Sequence, residues 1–306
     1  MPYSVVHDIV SRAGQVVLGK SHQIRLALAC LLARGHLLIE DLPGMGKTTL
    51  AHALARLLGL QFQRIQFTSD MLPADIIGVS VYDRGNSSFR FHPGPIFSQL
   101  ILADEVNRAT PKTQSALLEA MEEHQVTAEG ETRPLPEPFF VIATQNPAHQ
   151  IGTFPLPESQ LDRFLMRIEL GYPDPAAERE LMQGADRRRL LAGLMPCVRA
   201  EQLVRLQQQV AEIRIAPPLL DYAQALVHYT RDSALYQSGL SPRAALALLS
   251  AARAWAFIDG RAMVLPEDLQ AVLPGVASHR LKPIDEGLRP DPATLVRQLI
   301  AAVPLP

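Results

Sequence analysis

The stretch of residues 36–49 constrains the fold of this chain more than any other part of it. A short apolar run, residues 37–39, leads into a loop of proline and glycine, and a helical pattern begins directly afterwards at Lys47. A strand, a glycine-containing loop and a helix in this succession are typical of a phosphate-binding loop, whose backbone N–H groups point at the β- and γ-phosphates of a nucleotide. The residues that we predict to bind a nucleoside triphosphate here are Pro43, Gly44, Met45, Gly46, Lys47, Thr48 and Thr49.

Two side chains of this loop carry the expected chemistry. Lys47 adds a positive charge beside the phosphates, and the hydroxyl of Thr48 can ligate Mg²⁺. One position departs from the G-x-x-x-x-G-K-S/T pattern, because Asp41 stands where the pattern has its first glycine. That glycine supplies turn flexibility, and Pro43 with Gly44 can supply another turn, so the prediction of a nucleotide site stands. The alternative is an ordinary glycine-containing turn before a helix.

A second apolar run ends in two acids. Residues 100–103 read Leu-Ile-Leu-Ala and are followed directly by Asp104 and Glu105. An aspartate at such a strand end can hold Mg²⁺, directly or through water, and the neighbouring glutamate can orient and deprotonate the attacking water. Two acids favour hydrolysis over a switch that only binds nucleotide. Taken alone, the same residues would also suit a solvated acidic turn.

A third buried strand, residues 139–144, delivers Asn146 to its carboxyl end. The amide of Asn146 can hydrogen-bond the γ-phosphate or the attacking water, although an Asn-Pro turn at residues 146–147 explains the same residues. The first 170 residues alternate strand and helix, which predicts a parallel sheet covered by helices on both faces. Ligands of such sheets bind at the carboxyl ends of the strands, so we expect Lys47, Asp104 and Asn146 to meet at that edge.

Two arginines are candidates for contacting the γ-phosphate, because a guanidinium is permanently charged and binds phosphate with two parallel hydrogen bonds. Arg163 follows a short predicted helix and is poorly placed to reach its own phosphate loop, but it could reach that of a neighbouring subunit. Arg243 lies in the first turn of a later helix, capped by Ser241, and that helix end can face the nucleotide. A surface salt bridge is the alternative for each arginine.

The chain divides into two predicted domains, an α/β core of residues 1–171 and a small all-α domain of residues 172–306 with a linker at about 172–200. Residues 68–97 and 124–137 interrupt the core, and each contains a hairpin-like piece. Besides the helix that begins at Lys47 and one that begins at Thr110-Pro111, the predicted helices are residues 21–34 (capped by Ser21 and ended by Gly35), 178–191, 201–213, 218–231, 241–258 and 266–273.

Composition excludes several classes of protein. Of 306 residues, 47% are hydrophobic and 20% are charged, and the formal net charge of −2 provides no global field for nucleic acid or an anionic membrane. Cys30 and Cys197 are too few for a disulfide framework or a zinc site, and we expect both to be core thiols of a reducing compartment. We expect no signal peptide, and no apolar run approaches the roughly 18 residues that span a bilayer. A cytoplasmic protein without a membrane span is therefore expected.

Five segments together resemble the MoxR family of AAA+ ATPases, over nearly the whole chain; they are residues 40–48, 104–109, 143–147, 161–164 and 241–244. The roles that this resemblance implies are Walker A for Lys47 and Thr48, Walker B for Asp104 and Glu105, sensor 1 for Asn146, sensor 2 for Arg243, a finger acting in trans for Arg163, and an adenine-binding turn for Val17, Leu18 and Gly19. It also implies ATP and Mg²⁺ as cofactors and a phosphate-loop AAA+ core followed by a helical lid.

The resemblance further implies a homo-oligomeric ring, usually a hexamer, with ATP at the subunit interfaces. It implies chaperone-like work on partner proteins, often ones that carry a von Willebrand A domain, in complex assembly or metal-cofactor insertion. The two interruptions of the core match the family's helix-2 and pre-sensor-1 inserts. Neither insert contains the aromatic–hydrophobic–glycine loop of threading unfoldases.

Three other functions use a phosphate loop. A small-molecule kinase with the helical domain as a substrate lid would form a phosphorylated product without free phosphate. A GTP switch is excluded because none of Asn86, Asn107 and Asn146 precedes a lysine, so the chain has no Asn-Lys-x-Asp guanine reader. A nucleic-acid motor is disfavoured by the slight acidity and by the absence of a basic–aromatic stretch.

Overall fold

The computed structural model describes residues 2–85, 87–146, 152–184, 186–284 and 292–305. Its strands are β1 (Leu37–Glu40), β2 (Phe62–Gln66), β3 (Gly78–Asp83), β4 (Ser88–Pro93), β5 (Leu100–Asp104), β6 (Gln125–Ala128), β7 (Glu131–Pro134), β8 (Phe140–Gln145) and β9 (Met166–Ile168). Its helices in the core are α1 (Pro2–Val16), α2 (Ser21–Leu32), α3 (Lys47–Leu57), α4 (Pro73–Ile77), α5 (Pro111–Glu123) and α6 (Glu158–Leu161). The later helices are α7 (Pro175–Gln183), α8 (Arg187–Gly193), α9 (Ala200–Ala211), α10 (Pro217–Asp232), α11 (Pro242–Ile258), α12 (Pro266–Ala277) and α13 (Pro292–Ala302).

Five parallel strands form the central sheet in the order β2-β5-β8-β1-β9, which confirms the predicted parallel sheet. Every residue of β5 is buried, as are the first five of β8, because helices cover both faces of the sheet. Ile142 of β8 pairs with Leu102 of β5 on one side and with Leu37 of β1 on the other. This register brings the carboxyl ends of the three central strands to one edge.

The two predicted inserts are antiparallel hairpins. Strands β3 and β4 form the first, preceded by the short helix α4, and strands β6 and β7 form the second. The expected turn of the first at residues 85–86 lies partly outside the described residues, since Asn86 is not among them. The hairpins contact each other, because the Arg133 guanidinium lies 3.9 Å from the centroid of the Phe91 ring and the backbone N–H of Ser80 donates to Glu129 Oε1 at 3.3 Å.

Several predicted helix boundaries were wrong. The helix expected over residues 178–191 is two helices, α7 and α8, and the side chain of Asp186 caps the second by accepting from the backbone N–H of Arg188. Ser21 does not cap α2, because the N-cap residue is Lys20. The chain leaves α2 through Arg34 at φ +58°, and Gly35 is needed instead because Leu165 packs where a Cβ would stand. Helix α12 continues through Pro274 to Ala277.

The helices that follow β9 pack directly on the core. Helix α11 contacts α1 and α2, and buried side chains of these helices belong to one continuous hydrophobic cluster. At the surface of this contact the Arg25 guanidinium lies 4.4 Å from the centroid of the Trp255 ring and pairs with Asp259. Buried Cys30 and half-buried Cys197 are both free thiols. Among the described residues, no helix combines the length and apolar character needed to cross a lipid bilayer.

His36 is a buried histidine whose ring is fixed by two backbone groups. Its Nδ1 accepts a hydrogen bond from the backbone N–H of Val141 at 3.0 Å, so its Nε2 carries the proton and donates to the carbonyl of Met121 at 3.1 Å. Burial lowers the pKa of His36 from 6.5 to about 4. The folded chain therefore holds this ring neutral at pH values where the unfolded chain begins to protonate it.

We expect His36 to make stability pH-dependent. Because the pKa is lower in the folded chain, its stabilising contribution is complete above pH 6.5 and is lost as the pH falls towards 4. Between pH 7 and pH 4 the free energy of unfolding should fall in both proteins, and the fall should be about 3 kcal/mol larger in the wild type than in His36→Gln. Glutamine keeps a hydrogen-bond donor and an acceptor at this position but does not titrate. Urea unfolding at each pH measures this difference. Parallel pH profiles of the two proteins would contradict it.

Candidate active site

A cavity of about 320 Å³ lies at the carboxyl edge of the sheet. It is lined by Pro43, Gly44, Gly46, Lys47, Thr48, Thr49, Asp104, Glu105 and Asn146. The structure thus brings together the predicted phosphate loop, the two acids and the strand-end asparagine, which are far apart in the sequence. Met45 of the predicted loop does not belong to this lining and packs, partly buried, against the hydrophobic core.

The loop has the backbone that an anion site requires. Gly44 has φ +86° and Gly46, the N-cap residue of α3, has φ +91°. A Cβ at either position would meet no atom within 4 Å, so the left-handed conformation, and not a lack of space, requires glycine there. The first N–H groups of α3 have no partner within the helix, and together with the helix dipole they favour a bound phosphate.

Lys47 and Asn146 are bonded to each other in this cavity. Lys47 Nζ donates to the carbonyl of Asp41 at 2.6 Å and to Asn146 Oδ1 at 3.3 Å. Lys47 is 8% exposed, and burial lowers its pKa, although Asp41, Asp104 and Glu105 oppose that shift. A phosphate would compensate this partly desolvated ammonium more fully than a carbonyl does.

Asp104 is held in a fixed orientation. Its Oδ1 accepts from the hydroxyl of Thr144 at 2.5 Å, and its Oδ2 accepts from Arg64 Nη2 at 2.6 Å and Nε at 3.1 Å. Asp104 and the exposed Thr48 offer oxygen atoms to the same cavity, and oxygen is the ligand that Mg²⁺ prefers. The donor set therefore fits an ion bound jointly with phosphate oxygens.

Glu105 follows Asp104 in an unusual backbone conformation. Its φ of 57° and ψ of 47° are left-handed, which is rare for a residue with a Cβ and is concentrated at functional sites. The backbone N–H of Glu105 donates to the hydroxyl of Thr144 at 2.9 Å, and its Oε1 accepts from Asn146 Nδ2 at 3.1 Å. Its Oε2 accepts from Gln66 Nε2 and from Arg108 Nη1, each at 2.9 Å. The carboxylate is thereby tied to Asn146 at the cavity.

Sequence reasoning missed the residues that orient the two acids. Thr144 serves both, and a signal existed, because it precedes Gln145-Asn146 at the end of a buried strand where a polar residue needs a partner. Arg64 had a weaker signal, since its pairing with Asp104 depends on β2 lying next to β5. Of the described residues, no three His, Cys, Asp or Glu side chains form a metal cluster of their own.

The predicted adenine-binding turn lies outside the lining of this cavity. Val17 is buried, and Gly19 has φ +67° and packs so closely on α7 that a Cβ would lie 2.9 Å from the Cβ of Ala177. The next residue, Lys20, donates to the carbonyl of Tyr172 at 2.6 Å. The turn of Val17, Leu18 and Gly19 is therefore fixed against the segment that follows β9, and its role in binding adenine stays a prediction.

The two arginines meet each other instead of lining the cavity. Arg163 Nη1 donates to the carbonyl of Leu118 at 2.7 Å and pairs with Glu122 Oε2 at 2.9 Å. Arg243 pairs with Glu122 Oε1. The first turn of α11, which we predicted can face the nucleotide, places the Arg243 guanidinium on this carboxylate of α5, and the role of Arg243 towards the γ-phosphate stays a prediction.

Contacts around Asp162 explain this placement. The Asp162 carboxylate accepts from Arg280 Nε at 2.6 Å and from the hydroxyl of Ser241 at 3.1 Å. Ser241 is the N-cap residue of α11, as predicted, and its hydroxyl accepts from the backbone N–H of Ala244 at 3.0 Å. Asp162 is the residue before Arg163, and Ser241 lies two residues before Arg243. The hydrogen bond between Ser241 and Asp162 therefore places the two arginines side by side.

The fold and the cavity define a phosphate-loop protein that binds nucleoside triphosphates. Residues 36–166 match the profile of the ATPase family associated with various cellular activities (AAA), and residues 228–299 match that of the AAA lid domain. The chain is 36% identical to a protein of Cytophaga hutchinsonii described as a candidate ATPase, whose crystal structure superposes with a TM-score of 0.90 over 100% of this chain and 96% of that one.

Curated relatives extend this result. The uncharacterised protein YeaC of Bacillus subtilis is 43% identical over 98% of this chain and 96% of its own. Chaperone MoxR1 of Mycobacterium tuberculosis is 38% identical over 95% and 80%, and protein MoxR of Methylorubrum extorquens is 34% identical over 95% and 92%. The chain belongs to the MoxR family of AAA+ ATPases, and the predicted family and fold class are confirmed.

Thr144→Val tests the hydroxyl that joins the two acids. Valine has nearly the same shape but leaves the backbone N–H of Glu105 and one oxygen of Asp104 without their partner. Thr144 is fully buried, so we expect the free energy of unfolding to fall by about 1–3 kcal/mol, with weaker Mg²⁺-dependent ATP binding. Thr144→Ser retains the hydroxyl and is the control. Equal stability and ATP affinity in the valine variant and the wild type would disprove this role.

Proposed function

We propose that the chain is a Mg²⁺-dependent ATPase that hydrolyses ATP to ADP and phosphate and uses the reaction to remodel or assemble partner proteins. The observation that carries the proposal is the hydrogen-bonded group of Lys47, Asn146 and Glu105 beside the phosphate loop. A binding module needs only the lysine and the loop. A carboxylate linked through an amide to the same lysine adds a base at the place where the γ-phosphate would be attacked.

Each residue of the group has a distinct role in this mechanism. Lys47 and the first N–H groups of α3 bind the β- and γ-phosphates. Asn146 orients the attacking water, and Glu105 accepts its proton. Thr48 and Asp104 would hold Mg²⁺, which when bound neutralises phosphate charge. The turn of residues 17–19 would cradle the adenine.

We propose that Arg163 and Arg243 act together on the nucleotide of a neighbouring copy. Neither lines the cavity of its own chain, and both bind a single carboxylate, Glu122, at the junction with the later helices. Two guanidiniums that share one carboxylate form a site with a net positive charge for these three groups. The negative charge of a γ-phosphate from another protomer matches this site. Such a contact requires a homo-oligomer, and we propose a hexameric ring.

The proposed client is a protein of one of two classes, namely a protein with a von Willebrand A domain or a protein that receives a metal cofactor. The name of the Mycobacterium tuberculosis relative, a chaperone, supports this class of activity. The paired hairpins of β3–β4 and β6–β7 would transmit the nucleotide state to it. We place the protein in the cytoplasm and expect no nucleic-acid partner. Purification of Glu105→Gln with ATP, followed by identification of co-purified proteins, tests the client class.

Glu105→Gln tests the proposed reaction. The variant should retain ATP binding, while turnover should fall by about 10²–10⁴-fold because the amide cannot accept a proton. Free phosphate release and nucleotide affinity are the two measurements. Glu119→Gln, an exposed carboxylate on α5, is the matched control and should behave like the wild type. Wild-type turnover in Glu105→Gln would refute the base, and a phosphorylated product without free phosphate would indicate a kinase.

A mixing experiment tests the two arginines. Arg163→Ala should bind ATP but not hydrolyse it, and Lys47→Ala should lose binding. If the arginines act between copies, a mixture regains turnover, because Lys47→Ala protomers supply intact arginines to ATP on Arg163→Ala protomers. The control is a preparation in which every protomer carries both substitutions, and it should stay inactive. Wild-type turnover by Arg163→Ala alone would rule out action between copies, and so would a mixture that assembles but does not regain turnover. The same experiment applies to Arg243→Ala.

A further inference from the structure

Asp41 replaces the first glycine of the phosphate-loop pattern, and the residue is 9% exposed. Its Oδ2 accepts from two backbone N–H groups, those of Leu170 at 2.8 Å and Gly171 at 2.7 Å. Its Oδ1 accepts from the backbone N–H of Leu42 at 2.8 Å. A glycine at this position could make none of these bonds. The carboxylate therefore joins the phosphate loop to Leu170 and Gly171, which lie just after β9.

The backbone of the same residue contacts the nucleotide machinery. The carbonyl of Asp41 accepts from Lys47 Nζ at 2.6 Å, and its N–H donates to the carbonyl of Gln145 at 3.2 Å, next to Asn146. Asp41 thus accepts a hydrogen bond from Lys47 through its backbone carbonyl and hydrogen bonds from Leu170 and Gly171 through its side chain.

Leu170 and Gly171 occupy the point at which the chain leaves the sheet for the helical region. Gly171 has φ +64°, and beyond it the side chain of Asp174 caps α7 by accepting from the backbone N–H of Ala177 at 2.8 Å. A displacement at residues 170–171 would therefore pass to α7.

We infer that Asp41 is a positioning residue that relays the binding of a triphosphate at Lys47 to residues 170–171. This inference deepens the proposed function, on which it rests for the identity of the ligand. A phosphate that attracts Lys47 competes with the carbonyl of Asp41 for the ammonium. When that hydrogen bond changes, the buried carboxylate keeps its backbone donors, because an unpaired buried charge is costly. Leu170 and Gly171 then move with Asp41.

Hydrogen exchange tests the relay. Peptides covering residues 168–176 are followed in the full chain with and without Mg²⁺ and a non-hydrolysable ATP analogue. In the wild type we expect the exchange of this segment to change at least threefold on binding. Asp41→Gly restores the pattern's glycine, and Asp41→Asn keeps the shape without the charge. Both should bind the analogue within about tenfold of the wild-type affinity and lose most of the exchange response at residues 168–176, whereas Lys47→Ala should lose binding.

Asp174→Asn is the matched control, since it alters a capping carboxylate in the same segment that does not contact the phosphate loop. It should retain the nucleotide-dependent response. If Asp41→Gly does not fold, Asp41→Asn decides the question. An undiminished response in the folded Asp41 variants, or a wild type that binds the analogue without any response, overturns the relay alone. A wild type that binds no nucleotide overturns the proposed function and the relay with it.

Discussion

The parallel pairing of β5, β8 and β1 is the constraint on which the site depends. Because these strands run in the same direction and in register, their carboxyl ends deliver Asp104, Asn146 and the phosphate loop to one edge. Side chains alternate along a strand, so a slip of β8 by one residue would turn Thr144 away from the two acids. The buried apolar runs of the central strands prevent such a slip, and packing in the core thereby sets the geometry of the polar cavity.

The charged side chains and the asparagine amide of the cavity are all hydrogen-bonded to polar partners. Lys47 binds Asn146, Asn146 binds Glu105, and Asp104 is held by Arg64 and Thr144. A network of this kind is stable in a buried site because each charge has partners. A nucleotide would exchange contacts with groups whose side chains are already oriented at the cavity.

Sequence reasoning succeeded where a pattern is local. The strand–loop–helix around Lys47, the capped start of α11 at Ser241 and the two acids at the end of β5 were all predicted from consecutive residues. The parallel sheet was predicted from the alternation of strands and helices along the chain. It failed where tertiary contacts decide. Gly35 was read as a helix end, although packing against Leu165 explains it. The placement of Arg243 depends on Asp162 and Arg280, which are distant in sequence and carry no pattern of their own.

The helices α1 and α13 were not predicted at all. Helix α1 buries Val6, Ile9 and Ala13 against the rest of the chain, and α13 buries its apolar side chains in the same cluster. For α13 the sequence did hold a helix-start signal, because Asp291 directly precedes Pro292, whereas α1 has no such capping residue before it. Helices of this length gain most of their stability from packing on neighbours, which the sequence does not display.

The carboxylate of Glu122, which Arg163 and Arg243 share, gives these arginines a counter-ion within the same chain. The chain therefore does not display two bare cations at this point, which reduces its attraction to unrelated polyanions. A singly charged anion gains little by competing with Glu122, whereas a group with two or more negative charges gains more. Sharing one carboxylate between two arginines would therefore make this surface selective for the valence of an anion.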